Sequence, residues 1–325
     1  MNMPEALQEL LDKIDEKILF LRRKKITEAS HSIIFQLDKE IEELETERSK
    51  ITQQIETLDT AACSEELYRA LLKLGYREQV LSFKKFIKAQ SIGTFLIHGL
   101  PDHGQRWLLN RLVTQYVRYS TMGKVVRVEL ARIGRRRDIN ALWRELGGRV
   151  GLGKQSSPSE IAERVYQWWQ TQNVFLVFHD VDCMPKGYLQ ELIGDFWLPL
   201  ATQARETFER THKFQLLMFL VDYEGCVGTQ ETLFVEQQEP SWEPKVPLKL
   251  PSISAFCDRV LSEWIDTVEM EFDTLPLIEV INQMENLAHV ILENSDRGIP
   301  ELAMLEICRL CECNWYEEKE RWLRL

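Results

Sequence analysis

Two glycines stand five positions apart in the segment Gly99-Leu-Pro-Asp-His-Gly104, and Gln105 and Arg106 follow it directly. This is the glycine frame of a phosphate-binding P-loop. In such a loop, backbone N–H groups surround the phosphates, a lysine reaches their oxygens, and a Ser or Thr hydroxyl binds Mg²⁺. Gln105 stands in place of the lysine and Arg106 in place of the hydroxyl residue. The segment therefore predicts a nucleotide-binding loop that has lost both side chains used in phosphoryl transfer.

Two acidic residues, Asp180 and Asp182, follow the apolar run Val174–His179 and are separated by Val181. Nucleotide hydrolysis needs one acid to hold Mg²⁺ and usually an adjacent acid to position water. If Asp180 holds the metal, Val181 stands in the water position; if Asp180 positions the water, His179 stands in the metal position. One acidic role is vacant in either register, and Asp182 is the residue that would compensate in part.

The apolar run Leu216–Val221 is followed by Asp222 and Glu224. In an active NTPase of this type, a polar or cationic side chain at this point contacts the γ-phosphate. Two anions at this point repel a phosphate. We therefore expect no enzymatic activity, no metal and no resident cofactor. Binding without hydrolysis is the alternative, because the loop and the helix N-terminus still favour an anion and Arg106 can take the place of the lysine. Residual ATP or ADP is the ligand in that case.

The elements that must position these residues alternate between strands and helices. Strands are predicted at Thr94–His98, Val125–Leu130, Val174–His179 and Leu216–Asp222, and helices at 105–119, 138–147, 158–171 and 187–210. This alternation predicts an α/β fold with a parallel sheet, helices on both faces and a ligand site beyond the carboxyl ends of the strands. The proline-rich segment 231–251 is interpreted as a loop.

We predict three domains: a coiled-coil helical hairpin at 1–60, a degenerate P-loop NTPase-like α/β domain at 61–250 and a small helical lid at 251–325. In the hairpin, apolar residues from Leu7 to Leu21 recur every three or four positions, and the second arm repeats this spacing after a break near 27–32. In the lid, helices are predicted at 252–267 with Ser252 as a cap, at 276–293 and at 299–312.

The composition indicates a globular protein with reduced thiols, since 44% of the 325 residues are hydrophobic and seven cysteines show no disulfide framework. The N-terminus does not resemble a signal peptide, and apolar runs such as Leu216–Val221 are too short to span a bilayer. We expect a cytoplasmic protein without a membrane partner. Cys308, Cys311 and Cys313, with His289 upstream, lack an evident fourth metal ligand and are interpreted as structural thiols.

Charge is distributed unevenly along the chain, whose net charge is −11. Residues 103–154 contain twelve Lys and Arg against three Asp and Glu. Such a basic block attracts nucleic acid or an acidic partner, but it can also pair with acidic parts of the same chain. We favour the internal pairing, because the overall acidity opposes a general affinity for nucleic acid.

The chain resembles the STAND-type signalling NTPases. The P-loop-like segment, the acid-ending strand and Gly298-Ile299-Pro300 occur in the order of that superfamily, in which a Gly-x-Pro motif of the lid places its proline near the adenine. More narrowly, Phe95–Gly99 and Gly104–Leu112 resemble the inactive STAND domains of bacterial conflict systems. The N-terminal hairpin is similar to the coiled-coil segments that accompany those domains.

The resemblance covers roughly residues 66 to 325 and implies an inactive NTPase module that senses, scaffolds or docks an effector. The residues that it assigns to a degenerate nucleotide site are Gly99, Gly104, Gln105, Arg106, Asp180 and Pro300. We accordingly predict a non-catalytic signalling or scaffold protein that binds a protein partner through its coiled coil and is compatible with an oligomer. Two alternatives stay open: a nucleotide-dependent ATP or GTP switch with atypical phosphate ligands, and a nucleic-acid-binding module that uses the block 103–154.

Overall fold

The structure, a computed structural model, describes residues 3–28, 30–134, 138–153, 155–207, 213–229, 233–236, 246–272, 275–284, 286–323 and 325. The chain begins with two long helices, α1 (Met3–Thr27) and α2 (His31–Leu71), which pack against each other as an antiparallel hairpin. The buried side chains of their seam follow the predicted spacing: Ile14, Ile18, Leu21, Leu37, Ile41, Leu44 and Ile51.

Polar contacts also join the two arms of the hairpin. Arg48, which falls in a seam position, pairs with Asp15 of α1 at 2.6 Å. α2 continues through residue 60, where the sequence analysis expected a domain boundary, and ends only at Leu71. The hairpin and the body therefore share one uninterrupted helix.

A five-stranded parallel sheet forms the centre of the body. Its strands are β1 (Ile92–His98), β2 (Lys124–Glu129), β3 (Val174–His179), β4 (Leu216–Asp222) and β5 (Leu248–Lys249). The strand order is β2-β3-β4-β1-β5, so β1 lies between β4 and β5. The predicted α/β class with a parallel sheet is confirmed.

The fifth strand lies in the segment 231–251, where the sequence analysis expected only a loop, and this expectation is wrong at β5. The strand pairs with Phe95 and Leu96 of β1. Because it is two residues long and stands between prolines, its sequence lacks the apolar run that identifies a strand. Pro240 and Pro244 of the same segment lie outside the described residues.

Helices cover both faces of the sheet, as predicted. The helices of the body are α3 (Arg77–Ala89), α4 (Gln105–Tyr116), α5 (Leu130–Gly134), α6 (Ile139–Arg149), α7 (Pro158–Trp169), α8 (Lys186–Glu191) and α9 (Leu198–Thr207). Phe95 and Ile97 of β1 pack into one core with α3 and α4, whereas Leu96 packs into a second core with α6, α7 and α9. A π-helical turn at Leu192–Trp197 interrupts the predicted helix 187–210, of which residues 208–210 lie outside the described part.

The C-terminal helices, for which the name lid is kept from the sequence analysis, are α10 (Asp258–Glu271), α11 (Pro276–Gln283), α12 (Leu287–Asn294), α13 (Pro300–Leu310) and α14 (Trp315–Trp322). Two predictions are wrong here. The helix predicted from 252 begins at Asp258, with Cys257 as its N-cap residue. The residues before it run alongside the end of β1 instead, where the Ile253 N–H donates to the His98 carbonyl oxygen at 3.0 Å. The helix predicted at 276–293 is divided into α11 and α12, with extended backbone at Met284.

The last helix, α14, was missing from the sequence prediction because the six residues between Trp315 and Trp322 are one tyrosine and five charged residues, which show no apolar periodicity. Its two indoles join an aromatic cluster with Tyr68 of α2 and Trp107 of α4. α14 therefore links the root of the hairpin to the helix that follows the P-loop-like segment. Among the described helices, none combines the length and apolarity needed to cross a bilayer.

Candidate functional site

The P-loop-like segment connects β1 to α4 at the carboxyl edge of the sheet. Gly104 is the N-cap residue of α4 with φ of 75°, in the left-handed region that favours glycine. A Cβ on Gly104 would also overlap the Tyr76 hydroxyl, and a Cβ on Gly99 would stand 3.0 Å from the Ile253 side chain. Both glycines are therefore needed for the packing of the loop itself.

Gln105 turns back into the loop and is 1% exposed. Its Nε2 donates hydrogen bonds to the carbonyl oxygens of Gly99 at 3.1 Å and Leu100 at 2.9 Å. A buried lysine ammonium at this position would need an anion, whereas the neutral amide donors are satisfied by the loop carbonyls alone. The loop is thus held by protein groups without a phosphate.

Every carbonyl group from Gly99 to His103 accepts a hydrogen bond from the protein. Beyond Gln105, the donors are the His103 ring to Pro101 at 2.9 Å, the Glu301 N–H to Asp102 at 3.0 Å, and the Tyr76 hydroxyl to His103 at 3.1 Å. These donors come from the starts of α3, α4 and α13 and from the loop. Three helices therefore fix the loop conformation.

The start of α13 rests on the loop through the Gly298-Ile299-Pro300 segment. Gly298 has φ of 91° and accepts a hydrogen bond from the Phe256 N–H at 2.7 Å, and a Cβ there would overlap the Phe256 carbonyl. Pro300 is buried at the first helical position. The Met304 methyl lies 3.4 Å from the position that a Cβ on Gly104 would take. The lid thus contacts the face of the loop beside Gly104.

Arg106 contacts the C-terminal helix. Its guanidinium lies 3.2 Å from the Glu320 carboxylate, and its Nε donates to the Leu325 carbonyl oxygen at 3.5 Å. Glu320 is largely exposed, so this pair contributes little stability. Burial and then the nearby Arg106 charge lower the pKa of Arg127 on β2. Two cations therefore stand near each other at the edge of the sheet.

The two acids after β3 both engage backbone groups. Asp180 accepts a hydrogen bond from the Ala131 N–H, and burial raises the pKa of its carboxyl group. Asp182 Oδ1 accepts from the Tyr223 N–H at 2.9 Å. In the part of the chain that the structure describes, no group of His, Cys, Asp and Glu side chains is arranged to hold a metal ion. Both acids therefore contact the polypeptide itself, and the neutral Gln105 amide supplies no charge for a phosphate.

His179 ends β3 and is almost completely buried. Its Nδ1 lies 2.8 Å from the Tyr223 hydroxyl, and the two rings stack. Its Nε2 has no hydrogen-bond partner among the described residues. Burial, followed by the charges of Arg127 and Arg106, lowers the pKa of His179 to about 3. The ring is therefore neutral in the folded protein at neutral pH.

Asp222 holds the turn after β4. Its carboxylate accepts hydrogen bonds from four backbone N–H groups, those of Glu224 at 3.2 Å, Gly225 at 2.8 Å, Val227 at 2.8 Å and Gly228 at 3.3 Å. The charge of Asp222 is thus directed at its own turn. The sequence analysis considered this carboxylate only as a group that repels phosphate and did not foresee the turn.

The residues assigned to the degenerate site lie at three points along the carboxyl edge of the sheet, and the charges of Arg106 and Asp180 both act on Tyr223. Gly99, Gly104, Gln105 and the Pro300 segment meet at the loop. Arg106 faces α14, and Asp180 lies at the end of β3, with β4 between that strand and β1. Sequence reasoning missed Tyr76 and Glu301, because each reaches the loop from a distant part of the chain and neither stands in a local pattern that marks a site.

Several basic residues of the block 103–154 contact other parts of the chain or of the block itself. Its internal contacts join Arg106 to Glu320, Arg144 to Asp138, Arg149 to Glu145, and Arg111 to the carbonyl groups of Leu74 and Gly75. Arg135–Arg137 and Lys154 lie outside the described residues. Of these contacts, the Arg106–Glu320 pair joins the block to an acid outside it, so internal pairing and binding of nucleic acid both stay predictions.

The cysteines of the lid lie beside a fourth cysteine that the sequence analysis did not connect with them. The thiol of Cys63 on α2 is in hydrogen-bond contact with that of Cys313. Burial raises the pKa of Cys311 to about 12 and that of Cys308 further. The interpretation of these residues as structural thiols stays a prediction.

Residues 71–221 match the family model described as inactive STAND, which covers slightly less than half of the chain. No curated protein matches the chain significantly. Among solved structures, the chain is similar to the Aeropyrum pernix ORC1 protein in complex with DNA, with 15% identity, a TM-score of 0.36, and coverage of 78% of this chain and 64% of that chain. It is also similar to the Aeropyrum pernix ORC2 protein in its ADPNP–ADP complexes, with 12% identity, a TM-score of 0.41, and coverage of 80% and 66%. The chain thus spans about two thirds of the length of these two structures.

Proposed function

Because residues 71–221 match the family model described as inactive STAND, we propose that the protein is a non-catalytic signalling or scaffold component of a bacterial defence system. In this proposal the α/β body is a pseudo-NTPase, and the N-terminal hairpin docks a protein partner. The observation that carries it is Gln105, which stands in the lysine position and binds the Gly99 and Leu100 carbonyls.

Three further features support a scaffold role for the α/β body. The loop carbonyls are satisfied from α3, α4 and α13, so the loop does not depend on a ligand for its conformation. The acids after β3 bind backbone N–H groups of neighbouring segments. α2 passes without interruption from the hairpin into the core, where Leu67 and Leu71 are fully buried. A partner bound to the hairpin is thereby fixed relative to the body.

The test of the pseudo-NTPase is calorimetric titration of the full chain with Mg-ATP and Mg-GTP, together with a phosphate-release assay. We expect neither binding heat nor hydrolysis, because the lysine, the metal hydroxyl and one acidic role are missing. Hydrolysis that disappears in Asp180→Ala would show a working site and would overturn the proposal.

Docking through the hairpin is tested separately, with photo-crosslinking groups placed at Glu43 on α2 or at Glu269 on α10 in cells that produce the protein. We expect one discrete adduct from the hairpin position and none from α10. Equal labelling from both positions would remove the docking role while leaving the pseudo-NTPase intact.

A nucleotide-binding switch is the second candidate. Tyr76, which contacts the loop, also lines a cleft of about 430 Å³ between α3 and α10, and the first N–H groups of α4 have no partner within the helix. In this candidate Arg106 leaves Glu320 to meet a phosphate. Nucleotide binding that raises the Tm and is lost in Arg106→Ala would support it.

A further inference from the structure

A cleft of about 430 Å³ lies between the start of α3 and α10, and this volume is within the usual range of small-molecule sites. None of the residues 99–106 lines the cleft, and neither Asp180 nor Pro300 does. The cleft is therefore separate from the residues that were assigned to the degenerate nucleotide site.

Aromatic side chains form much of the wall of this cleft. Tyr76, Phe256 and Trp264 are all almost completely buried, and the rings of Tyr76 and Phe256 meet edge to face with their centroids 5.4 Å apart. The Trp264 Nε1 donates to the Ala70 carbonyl oxygen at 2.9 Å, so the polar atom of this ring is already satisfied. Walls of this kind accept a flat apolar group.

Contacts within the protein hold these walls in place. Gln79 Nε2 on α3 donates to the carbonyl oxygens of Pro251 at 3.1 Å and Ser252 at 3.0 Å. The Phe256 N–H is bound by the Gly298 carbonyl oxygen at 2.7 Å. The cleft is therefore preformed, and a ligand that enters it has little chain to order.

Arg111 of α4 also lines the cleft, and it is a buried cation without a carboxylate partner. It is 7% exposed, and its Nε has no hydrogen-bond partner among the described residues. Its Nη1 donates to the carbonyl oxygens of Leu74 and Gly75, each at 2.8 Å, and the Tyr116 hydroxyl is a further contact. Carbonyl and hydroxyl oxygens solvate this guanidinium, but no anion compensates its buried charge.

The other charges that line the cleft leave it positive. Two of its cations are paired with acids: Lys73 with Glu271, and Arg259 with Glu263 at 3.6 Å. Arg77 is exposed at the rim and has no ion pair among the described residues. Glu78 is the lining acid that remains outside these pairs. Arg111 and Arg77 against Glu78 leave one positive charge, which a ligand with one anionic group neutralises.

We propose that the cleft binds a small organic acid. Its carboxylate contacts Arg111 and supplies the missing anion, while a flat apolar body lies against the rings of Tyr76, Phe256 and Trp264. Such a ligand contacts α10 of the lid and also Tyr76, whose hydroxyl holds the His103 carbonyl oxygen of the P-loop-like segment. This inference goes beyond the proposed function and involves none of the residues 99–106 as ligand contacts.

The experiment is a ligand-observed NMR titration of the full chain with benzoate and with benzamide, two probes that share the ring and differ in charge. We expect benzoate to bind about tenfold more tightly, because a hydrogen bond to a charged group is stronger than one between neutral groups. Arg111→Met should remove this preference, so that the two probes bind alike. The proposal is wrong if the unaltered protein does not bind benzoate or binds both probes equally.

A second variant tests the site without removing Arg111, whose contacts with Leu74 and Gly75 also support the fold. Val260→Trp fills the cleft from α10 and should weaken benzoate binding by more than about tenfold. Glu269→Trp, which adds the same ring on the exposed side of α10, should bind benzoate as the unaltered protein does. Circular dichroism verifies that both variants keep their helix content.

Two further outcomes would overturn the proposal. Unchanged benzoate binding in Val260→Trp would mean that the probe binds outside the cleft. Displacement of benzoate by ATP would assign the cleft to the nucleotide-binding candidate instead of an organic acid.

Discussion

Gln105 changes what the loop requires. A lysine inside this loop needs a phosphate to compensate its buried charge, because an unpaired ammonium is expensive to remove from water. The Gln105 amide instead finds two carbonyl acceptors within the loop. The substitution therefore does more than delete a catalytic group: it stabilises the ligand-free conformation.

His179 makes the stability of the protein depend on pH. Its folded pKa of about 3 lies below the ordinary value of about 6.5, so the unfolded chain binds the proton first. The contribution of this residue is constant above pH 6.5 and falls as the pH decreases toward 3. Between pH 6.5 and 5 the loss should approach about 2 kcal/mol, at about 1.4 kcal/mol for each pH unit.

This prediction is checked by urea denaturation of the protein and of His179→Gln at pH 7 and pH 5. From pH 7 to pH 5, the free energy of unfolding should decrease by about 2 kcal/mol less in His179→Gln than in the unaltered protein. His98, whose pKa burial also lowers, is present in both proteins and cancels in the difference. His31→Gln, at the exposed start of α2, is the control and should keep the full decrease; an unchanged decrease in His179→Gln would contradict the assignment.

At the level of elements, the turn after β4 is joined to the P-loop-like segment. Asp222 binds four backbone N–H groups of this turn. Gly225 within it has φ of 72°, and a Cβ there would approach the Gly99 carbonyl to 2.9 Å. The turn therefore forms one wall of the loop, and Asp222 determines its shape.

Asp222→Ala should lower the free energy of unfolding by about 3 kcal/mol, because it leaves several buried N–H groups without an acceptor. Hydrogen exchange should accelerate at the amides of Val227 and Gly228. Asp266→Ala, on the exposed side of α10, should change the stability by less than about 0.5 kcal/mol. Similar losses in both variants would mean that the turn does not depend on this carboxylate.

The sequence predicted the elements with strong local patterns. The seam of the hairpin, the four long strands and the position of the loop before α4 follow from spacing and apolar runs that neighbouring residues determine. β5 and α14 were missed because a two-residue strand and a helix with two buried tryptophans have almost no periodicity. Both are formed by tertiary contacts, with β1 and with the aromatic cluster, that local pattern does not contain.

The sequence predicted which phosphate-binding side chains the candidate site lacks, but it did not predict which protein groups bind the loop in their place. Gln105 and Arg106 occupy the fixed positions of the motif at which the lysine and the hydroxyl residue would stand, so their absence is visible in the sequence. Tyr76 and Glu301 supply hydrogen bonds to the loop from the starts of two other helices. Their contribution depends on how three separated segments meet, so it became visible only in the folded chain.

At the scale of the whole molecule, α2 is the connection between hairpin and body. Its last turns carry Ser64, which donates to Glu318 of α14 at 2.6 Å, and Tyr68, which accepts from Asn110 of α4 at 2.8 Å. The root of the hairpin is thus bound to the helix that leaves the loop and to the last helix of the lid. The hairpin should unfold together with the body.

Ala61→Pro tests this continuity, since proline in a helix interior removes a hydrogen bond and costs about 3 kcal/mol. Ala61 is an exposed residue of α2 between the hairpin and the root. Calorimetry should show one unfolding transition for the protein and two for the variant, with the hairpin melting first. Ala61→Ser, which keeps the helix, should retain a single transition; a single unshifted transition in Ala61→Pro would show that the two parts are already independent.

The length of α2 has a mechanical consequence. Its 41 residues span about 60 Å at the rise of an α-helix, and its base sits between α4 and α14. The helix is therefore a rigid arm that pivots at its base, next to the helix that follows the P-loop-like segment. By simple geometry, a tilt of about five degrees at the base moves the far end by about 5 Å. Displacements of the loop and lid too small to change their own packing would therefore be amplified into a movement as wide as half a helix.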